Sequence, residues 1–245
     1  MYPILKFGSI QIATFFVVIS LSLSLLILLF SKKVEQNSKK SELNPKDGFD
    51  LLIIILIAGF LGGRLFHVFY EEWIYYQSYP SEIFKFWNGG FVYFGGALTA
   101  LVSAALFTFI KKISFWSWAD FFTPFLSAGY ALGRVGCFLE GCCFGRITSL
   151  PWAIEGRHPT QVYMILAEVI LLIFILKKEH NFIAAPGKLF ITWALAHALC
   201  RFVIEFYRDD GRGAFLLNLS ISQWISLVIA TICVFYIKKL KLFFK

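Results

Sequence analysis

Long apolar runs recur along the whole chain. A run of about 20 apolar residues is long enough to cross a hydrocarbon core of roughly 30 Å as a helix. We place such spans near residues 10–30, 50–70, 91–110, 118–138, 159–176, 188–207 and 221–237. The pattern predicts an all-α integral membrane protein with about seven transmembrane helices, forming a single polytopic domain over residues 1–245.

Two segments between the predicted spans have a different character. Residues 31–48 are polar and mix charges with Asn, Ser and Pro, which predicts a flexible cytoplasmic loop. Residues 71–88 are rich in Trp, Tyr and Phe among a few charges, which is typical of a segment lying at the membrane interface. The second segment is interpreted either as an interfacial anchor or as a gate that admits lipid sideways from the bilayer.

Composition and charge agree with a membrane location. The 245 residues are 58% hydrophobic and only 16% charged, against roughly 25% charged in soluble domains. Lysine and arginine are concentrated after the first, third and fifth spans and in the C-terminal tail, which predicts that the N-terminus lies outside and the C-terminus in the cytoplasm. Basic residues at that face can meet anionic lipid headgroups, so the net charge of +8 needs no nucleic acid partner.

Three arginines, Arg64, Arg134 and Arg201, fall inside predicted spans. A charged side chain at mid-bilayer costs at least about 2.5–3.5 kcal/mol, so each should face a cavity and have a partner. Arg201 and Glu205 are spaced to share one helix face and pair. One interpretation is an ion pair that only locks helices together. The other is an anion site, because the planar guanidinium suits phosphate and keeps its charge.

Six segments, in this order and spacing, carry a resemblance to a known family. They are GGRLFHVFYE at 62–71, WNGGFVYFGGALTA at 87–100, GRVGCFLEGCCFG at 133–145, HPTQVY at 158–163, RFVIEFYR at 201–208 and LSISQWISL at 219–227. On these segments the chain resembles the prolipoprotein diacylglyceryl transferases. The resemblance implies a multi-pass enzyme of the bacterial inner membrane. It would transfer the diacylglyceryl group of phosphatidylglycerol to the lipobox cysteine of a prolipoprotein signal peptide, forming a thioether.

The resemblance also implies roles for individual residues. Arg134, Arg201 and Glu205 would be catalytic, the arginines holding the phosphate and Glu205 orienting Arg201 or binding substrate. The predicted substrate-binding residues are Arg134, Arg64, Gly95, Gly96, His158, Gln161 and Arg208. The expected partners are phosphatidylglycerol, prolipoprotein signal peptides and membrane lipids. No cofactor is implied, and we assign no metal ligand.

The polar shell departs from the family at several positions. Phe94 stands where the family usually has a histidine, Cys137 where it commonly has Asn, and Cys142 where it has Glu. Another base would then be needed, and His67 or His197 could supply it because imidazole titrates near neutral pH. Each could equally be a core histidine. Alternatively, the substrate thiol ionises in the field of the arginines and needs no dedicated base.

The candidate thiols Cys137, Cys142 and Cys143 leave several interpretations open. They could pack as small apolar side chains. Cys137 could form a disulfide with Cys142 or Cys143 at the oxidising face of the membrane. Catalysis or metal binding is a further alternative, although this spacing is not a standard zinc pattern. Together with Phe94, the cysteines favour one rival function, a paralogue with cysteine-dependent chemistry or another lipid-group transfer. Seven helices with buried arginines would also suit a second rival, a non-enzymatic lipid-binding protein.

Overall fold

The computed structural model describes residues 4–7, 10–38, 43–182, 186–209 and 216–243. A short antiparallel hairpin, β1 (Ile4–Phe7) and β2 (Ile10–Ala13), comes first, with Ile4 opposite Ala13. The remaining architecture is helical. The helices are α1 (Thr14–Ser38), α2 (Pro45–Phe66), α3 (Trp73–Ser78), α4 (Tyr93–Lys111), α5 (Phe115–Glu140), α6 (Thr160–Phe182), α7 (Lys188–Glu205) and α8 (Ile221–Phe243).

Every predicted span coincides with one of these helices. Five helices in the described part of the chain are long and apolar enough to cross a membrane: α1, α2 with the turn that follows it, α4, α6 and α8. The prediction of a helical, multi-pass membrane protein is therefore confirmed at this level. The other two, α5 and α7, carry charges that the sequence places inside spans: Arg134 lies on α5, and Arg201 and Glu205 lie on α7.

Helix ends differ from the prediction in two places. The predicted first span begins at residue 10, but β2 occupies residues 10–13 and α1 begins after it. The segment 31–48 is not a loop throughout, because α1 continues to Ser38 and α2 begins at Pro45, while residues 39–42 lie outside the described part. Lys, Glu and Gln are good helix formers, so a helix can continue past the apolar run.

The start of α2 has a local cause. The Asn44 side chain accepts a hydrogen bond from the Lys46 N–H at 3.0 Å, and Pro45 follows it in the first turn. An Asn N-cap followed by proline satisfies one exposed donor and presets the helical φ angle. These residues begin α2 ahead of its apolar stretch.

The chain divides into two compact units. One contains residues 1–30 and 119–245, and the other contains residues 31–118. In the second unit α2 packs on α4 through glycines, since a Cβ on Gly96 would lie 2.7 Å from the Gly59 carbonyl oxygen. In the first unit α7 packs against α6 and α8. The residues of the first unit carry most of the predicted site.

Candidate active site

A buried cluster of arginines occupies the first unit. Arg134, near the end of α5, donates a hydrogen bond to the Tyr130 hydroxyl at 2.8 Å. The two residues are four apart on one helix face, and the guanidinium carbon also lies 4.9 Å from the centre of the Tyr130 ring. A cation held over an aromatic face and bonded to a neutral phenol keeps its full charge. Neither of these contacts is with a carboxylate, so they leave the positive charge of Arg134 uncompensated.

Arg201 and Glu205 form the ion pair that their spacing predicts. The Arg201 Nη1 and Glu205 Oε2 atoms are 2.6 Å apart, and the residues are 7% and 8% exposed. Two serines at the start of α8 hydrogen-bond to the two members of this ion pair. Ser222 accepts a hydrogen bond from Arg201 at 3.2 Å, and Ser220 donates one to the other Glu205 oxygen at 2.9 Å. The pair is thus oriented from a second element and not only by its own helix.

Arg208 joins this pair from the turn after α7. Its Nε lies 3.6 Å from the same oxygen, Glu205 Oε2, and the residue is 6% exposed. Arg201 also experiences the repulsive fields of Arg134 and Arg208. Arg201 and Arg208 therefore share the carboxylate of Glu205, and Arg134, bonded to Tyr130, adds a further positive charge in this buried region. Such a region favours an anionic ligand.

A second buried network connects to Arg134 through Tyr130. Glu168 on α6 is fully buried, and its carboxylate accepts hydrogen bonds from Ser127 at 2.7 Å and from Trp193 at 3.1 Å. The carboxylate also pairs with Nδ1 of His197. The His197 ring meets the Tyr130 ring edge-on with 4.6 Å between centroids. The Glu168 carboxylate therefore orients the His197 ring beside Tyr130.

The three candidate thiols gather at the end of α5. The sulfurs of Cys137, Cys142 and Cys143 all lie within 4.8 Å of one another, and all are free thiols. Hydrogen bonds from the other two thiols hold the pKa of Cys143 below its ordinary value, and hydrogen bonds to Cys137 and Cys143 raise the pKa of Cys142. The three thiols therefore form one hydrogen-bonded cluster.

Residues of the HPTQVY segment hold the cysteine turn in place. Thr160 donates a hydrogen bond to the Cys143 carbonyl at 2.7 Å, and Gln161 donates one to the Cys142 carbonyl. His158 is bonded through Nδ1 to the Tyr163 hydroxyl at 3.1 Å. Gln161 and His158 were predicted to bind substrate. The structure gives both a supporting contact, and their role toward substrate stays a prediction.

Arg64 lies in the second unit and is tied to backbone carbonyls. It donates to the carbonyls of Glu82, Ile83 and Gly89 at 2.7, 3.1 and 2.6 Å, and it lines a cavity of about 180 Å³. These bonds anchor the aromatic segment to the end of α2. His67, in the π-helical turn after α2, is bonded to Glu71 at 2.9 Å.

The predicted glycines and Phe94 also lie in the second unit, on α4. A Cβ on Gly95 would meet the Phe66 ring at 2.4 Å, and Gly96 lies against the backbone of Gly59. Close packing of α2 on α4 accounts for both glycines, and their assignment to substrate binding stays untested. Phe94 is half-buried and in edge contact with Tyr93.

Several contributors to the site were missed from the sequence. Glu168 could have been found, because an acidic residue inside an apolar span calls for a partner. Tyr130 could have been found from its position one turn before Arg134. Ser220 and Ser222 lie in the LSISQWISL segment at 219–227, but their type alone indicated no role, since serine is common near helix ends.

Comparison with known proteins identifies the family. The family model for prolipoprotein diacylglyceryl transferase matches residues 3–238. A phosphatidylglycerol–prolipoprotein diacylglyceryl transferase of Bordetella parapertussis is 30% identical over 233 residues, covering 91% of this chain and 88% of that protein. The protein of the same name from Cupriavidus metallidurans is 34% identical, covering 74% of this chain and 71% of its own length. The resemblance is confirmed: the chain belongs to the prolipoprotein diacylglyceryl transferase family.

Proposed function

We propose that the protein transfers the diacylglyceryl group of phosphatidylglycerol to the lipobox cysteine of prolipoproteins, the first step of lipoprotein maturation. The family and the names of the relatives support this reaction. The observation that carries the proposal is the arginine cluster. Arg201 and Arg208 share the carboxylate of Glu205, Arg134 is bonded to the Tyr130 hydroxyl, and together these buried cations favour one phosphate-bearing ligand.

The chemistry assigned to the cluster is stabilisation of the leaving group. As the substrate thiolate forms a C–S bond to the glyceryl carbon, the C–O bond to phosphate breaks and glycerol phosphate leaves with the electron pair. Arg134 and Arg201 are positioned to offset the charge that grows on the departing phosphate. Preorganised cations in a dry site are worth far more than in water. Glu205 keeps Arg201 and Arg208 oriented before substrate enters.

The proton of the substrate thiol needs an acceptor, and we assign it to His197. The Glu168 carboxylate fixes the His197 ring, and Tyr130 connects that ring to Arg134. His67 is the weaker choice, because its carboxylate partner, Glu71, is solvent-exposed. An orienting carboxylate, a histidine and a thiol form a general-base arrangement suited to this transfer.

The proposed setting follows the sequence analysis. We propose that the chain spans the bacterial inner membrane seven times, with the N-terminus outside and the C-terminus in the cytoplasm. The substrates would be phosphatidylglycerol and prolipoprotein signal peptides at the outer leaflet. The apolar helices and the basic C-terminal tail support this setting.

Complementation tests the proposal. The chain is expressed in cells depleted of their own diacylglyceryl transferase, and lipidation of reporter lipoproteins is followed by mass spectrometry. Wild type should restore the diacylglyceryl adduct and Arg134→Ala should not. Arg157→Ala is the matched control, since Arg157 lies in an exposed ion pair with Asp209. If well-expressed wild type modifies neither a host reporter nor one carrying a signal peptide from the same genome as this chain, the proposal is wrong.

A further inference from the structure

The cysteine turn is the part of the site that the proposed reaction does not use. Its three sulfurs lie within 4.8 Å of one another. In a tetrahedral zinc site with Zn–S bonds of about 2.3 Å, the sulfurs are about 3.8 Å apart. Inward movement of at most about 1 Å would bring the thiols to that spacing, which side-chain rotation can supply.

The backbone of the turn is held in an uncommon conformation. Cys143 has φ 66°, in the left-handed region that residues with a side chain rarely adopt. Hydrogen bonds from the fully buried Thr160 and Gln161 fix the carbonyls of Cys143 and Cys142. The Cys142 N–H bonds the Cys137 carbonyl at 3.1 Å, which folds the turn back onto α5. The three thiols are thus directed together by fixed contacts.

A buried acceptor lies beside the cluster. The amide oxygen of Gln161 is enclosed, and within the described residues it has no hydrogen-bond partner, although the same amide bonds the Cys142 carbonyl. A buried polar atom of this kind is costly unless something satisfies it. An entering thiol or a metal-bound water would offer the missing donor.

We propose that Cys137, Cys142 and Cys143 bind one Zn²⁺ ion through their sulfurs, and that its open fourth position takes the lipobox thiol. Three protein ligands with one open position is the pattern of a catalytic zinc. Among the described residues, the group offers three sulfur donors and no fourth His, Cys, Asp or Glu. This proposal departs from our expectation of no metal, and the identity of the fourth ligand rests on the proposed function.

The surrounding charges suit such a centre. Zinc with three thiolates carries a formal charge of −1, and two arginines can offset it. Arg134 lies one helical turn before Cys137 on α5, and the positive field of Arg208 acts on Cys143. The same two arginines would therefore contact the zinc cluster on one side and the phosphate on the other. This would align the sulfur nucleophile with the phosphate leaving group.

The reaction balances with zinc as a thiol activator. On binding Zn²⁺ the lipobox thiol would lose its proton, since a metal-bound thiol is deprotonated, and the base of the proposed function, His197, would be its final acceptor. The zinc-bound sulfur then forms the C–S bond as the C–O bond breaks, and the electron pair leaves with glycerol phosphate. The metal is not oxidised or reduced. This role would replace the histidine that the family usually has at position 94.

Metal content tests the site without reference to activity. Wild type purified in detergent with a phosphine reductant should retain one Zn²⁺ per chain by elemental mass spectrometry. Serine at any of the three cysteines should weaken Zn²⁺ binding on the order of 100-fold or more. Cys233→Ser is the control, because Cys233 lies in α8 outside the group. Substoichiometric zinc in fully reduced wild type, or a disulfide within the cluster, would overturn the site.

Cobalt substitution tests the open position. Co²⁺-loaded protein should show thiolate-to-cobalt charge-transfer absorption, and a lipobox peptide should shift that band while its Cys→Ser analogue should not. No shift with either peptide rules out the fourth-ligand role. Transfer assays separate the two proposals. Undiminished transfer by zinc-free protein overturns the zinc proposal alone, whereas bound zinc without transfer from phosphatidylglycerol overturns the proposed function alone.

Discussion

Replacing Glu205 by glutamine removes the carboxylate that contacts both Arg201 and Arg208 while keeping the shape of the side chain. Glu205 contacts Arg201 at 2.6 Å, Arg208 at 3.6 Å and the Ser220 hydroxyl at 2.9 Å. The glutamine can still accept the serine hydrogen bond. It cannot compensate the buried positive charges. The change therefore isolates the charge of Glu205 from its packing.

The expected loss of stability follows from burial. Removing one partner of a buried ion pair costs about 3–5 kcal/mol, because the other charge is left uncompensated. Because Glu205→Gln keeps the packing and the Ser220 contact, its loss of stability should lie near the lower end of this range, at about 3 kcal/mol. Anion binding should change in the opposite direction. Two charges about 8 Å apart interact by roughly 2 kcal/mol at an effective dielectric constant of 20, so phosphate should bind the variant on the order of 30-fold more tightly.

The assay is unfolding in mixed micelles of increasing sodium dodecyl sulfate fraction, with and without inorganic phosphate. Glu71→Gln is the matched control, since Glu71 pairs with His67 at 2.9 Å and is 41% exposed. An exposed pair contributes about 0–1 kcal/mol, so the control should unfold close to wild type and respond to phosphate equally. Arg201→Met, alone and with Glu205→Gln, completes a double-mutant cycle.

Two results would refute the reasoning. If Glu205→Gln loses less than about 1 kcal/mol, the cluster is more hydrated than its burial indicates. If phosphate stabilises the variant no more than wild type, the cluster is not an anion site, and the ion pair only locks α7 in place. Either result would remove the observation on which the proposed function depends.

The remaining predictions concern packing, the proton acceptor and the second unit. In the same unfolding assay, Gly145→Ala should destabilise the protein by about 1–3 kcal/mol, because its Cβ would lie 2.2 Å from a backbone carbonyl oxygen. Gly133→Ala should not, because the nearest atom to its Cβ would be 4.0 Å away. His197→Phe should lower kcat for lipobox peptide by about 10²–10⁴-fold, and equal losses in His67→Phe would contradict the assignment. Arg64→Met should speed amide exchange in the loop it binds, measured by mass spectrometry, and unchanged exchange would mean that those carbonyl bonds do not hold the loop.

The sequence by itself determined the helices and the family. Spans are readable because apolar length is a local property, set by the thickness of the bilayer. The Arg201–Glu205 pair was also predictable, since residues four apart on a helix lie on one face. The candidate arginines were identified because a charge is conspicuous in an apolar run. Each of these predictions needs only residues close together in the chain.

Only the tertiary structure decided which polar groups share a site. Glu205 contacts both Arg208 and Ser220 because the turn after α7 and the start of α8 bring them to the same carboxylate. Glu168 and His197 meet because α6 packs against α7. Such contacts join residues distant in the chain, and their geometry depends on packing that spacing does not encode. The cysteines needed both. Their spacing can be read from the sequence, but only the folded turn at the end of α5 brings their sulfurs together.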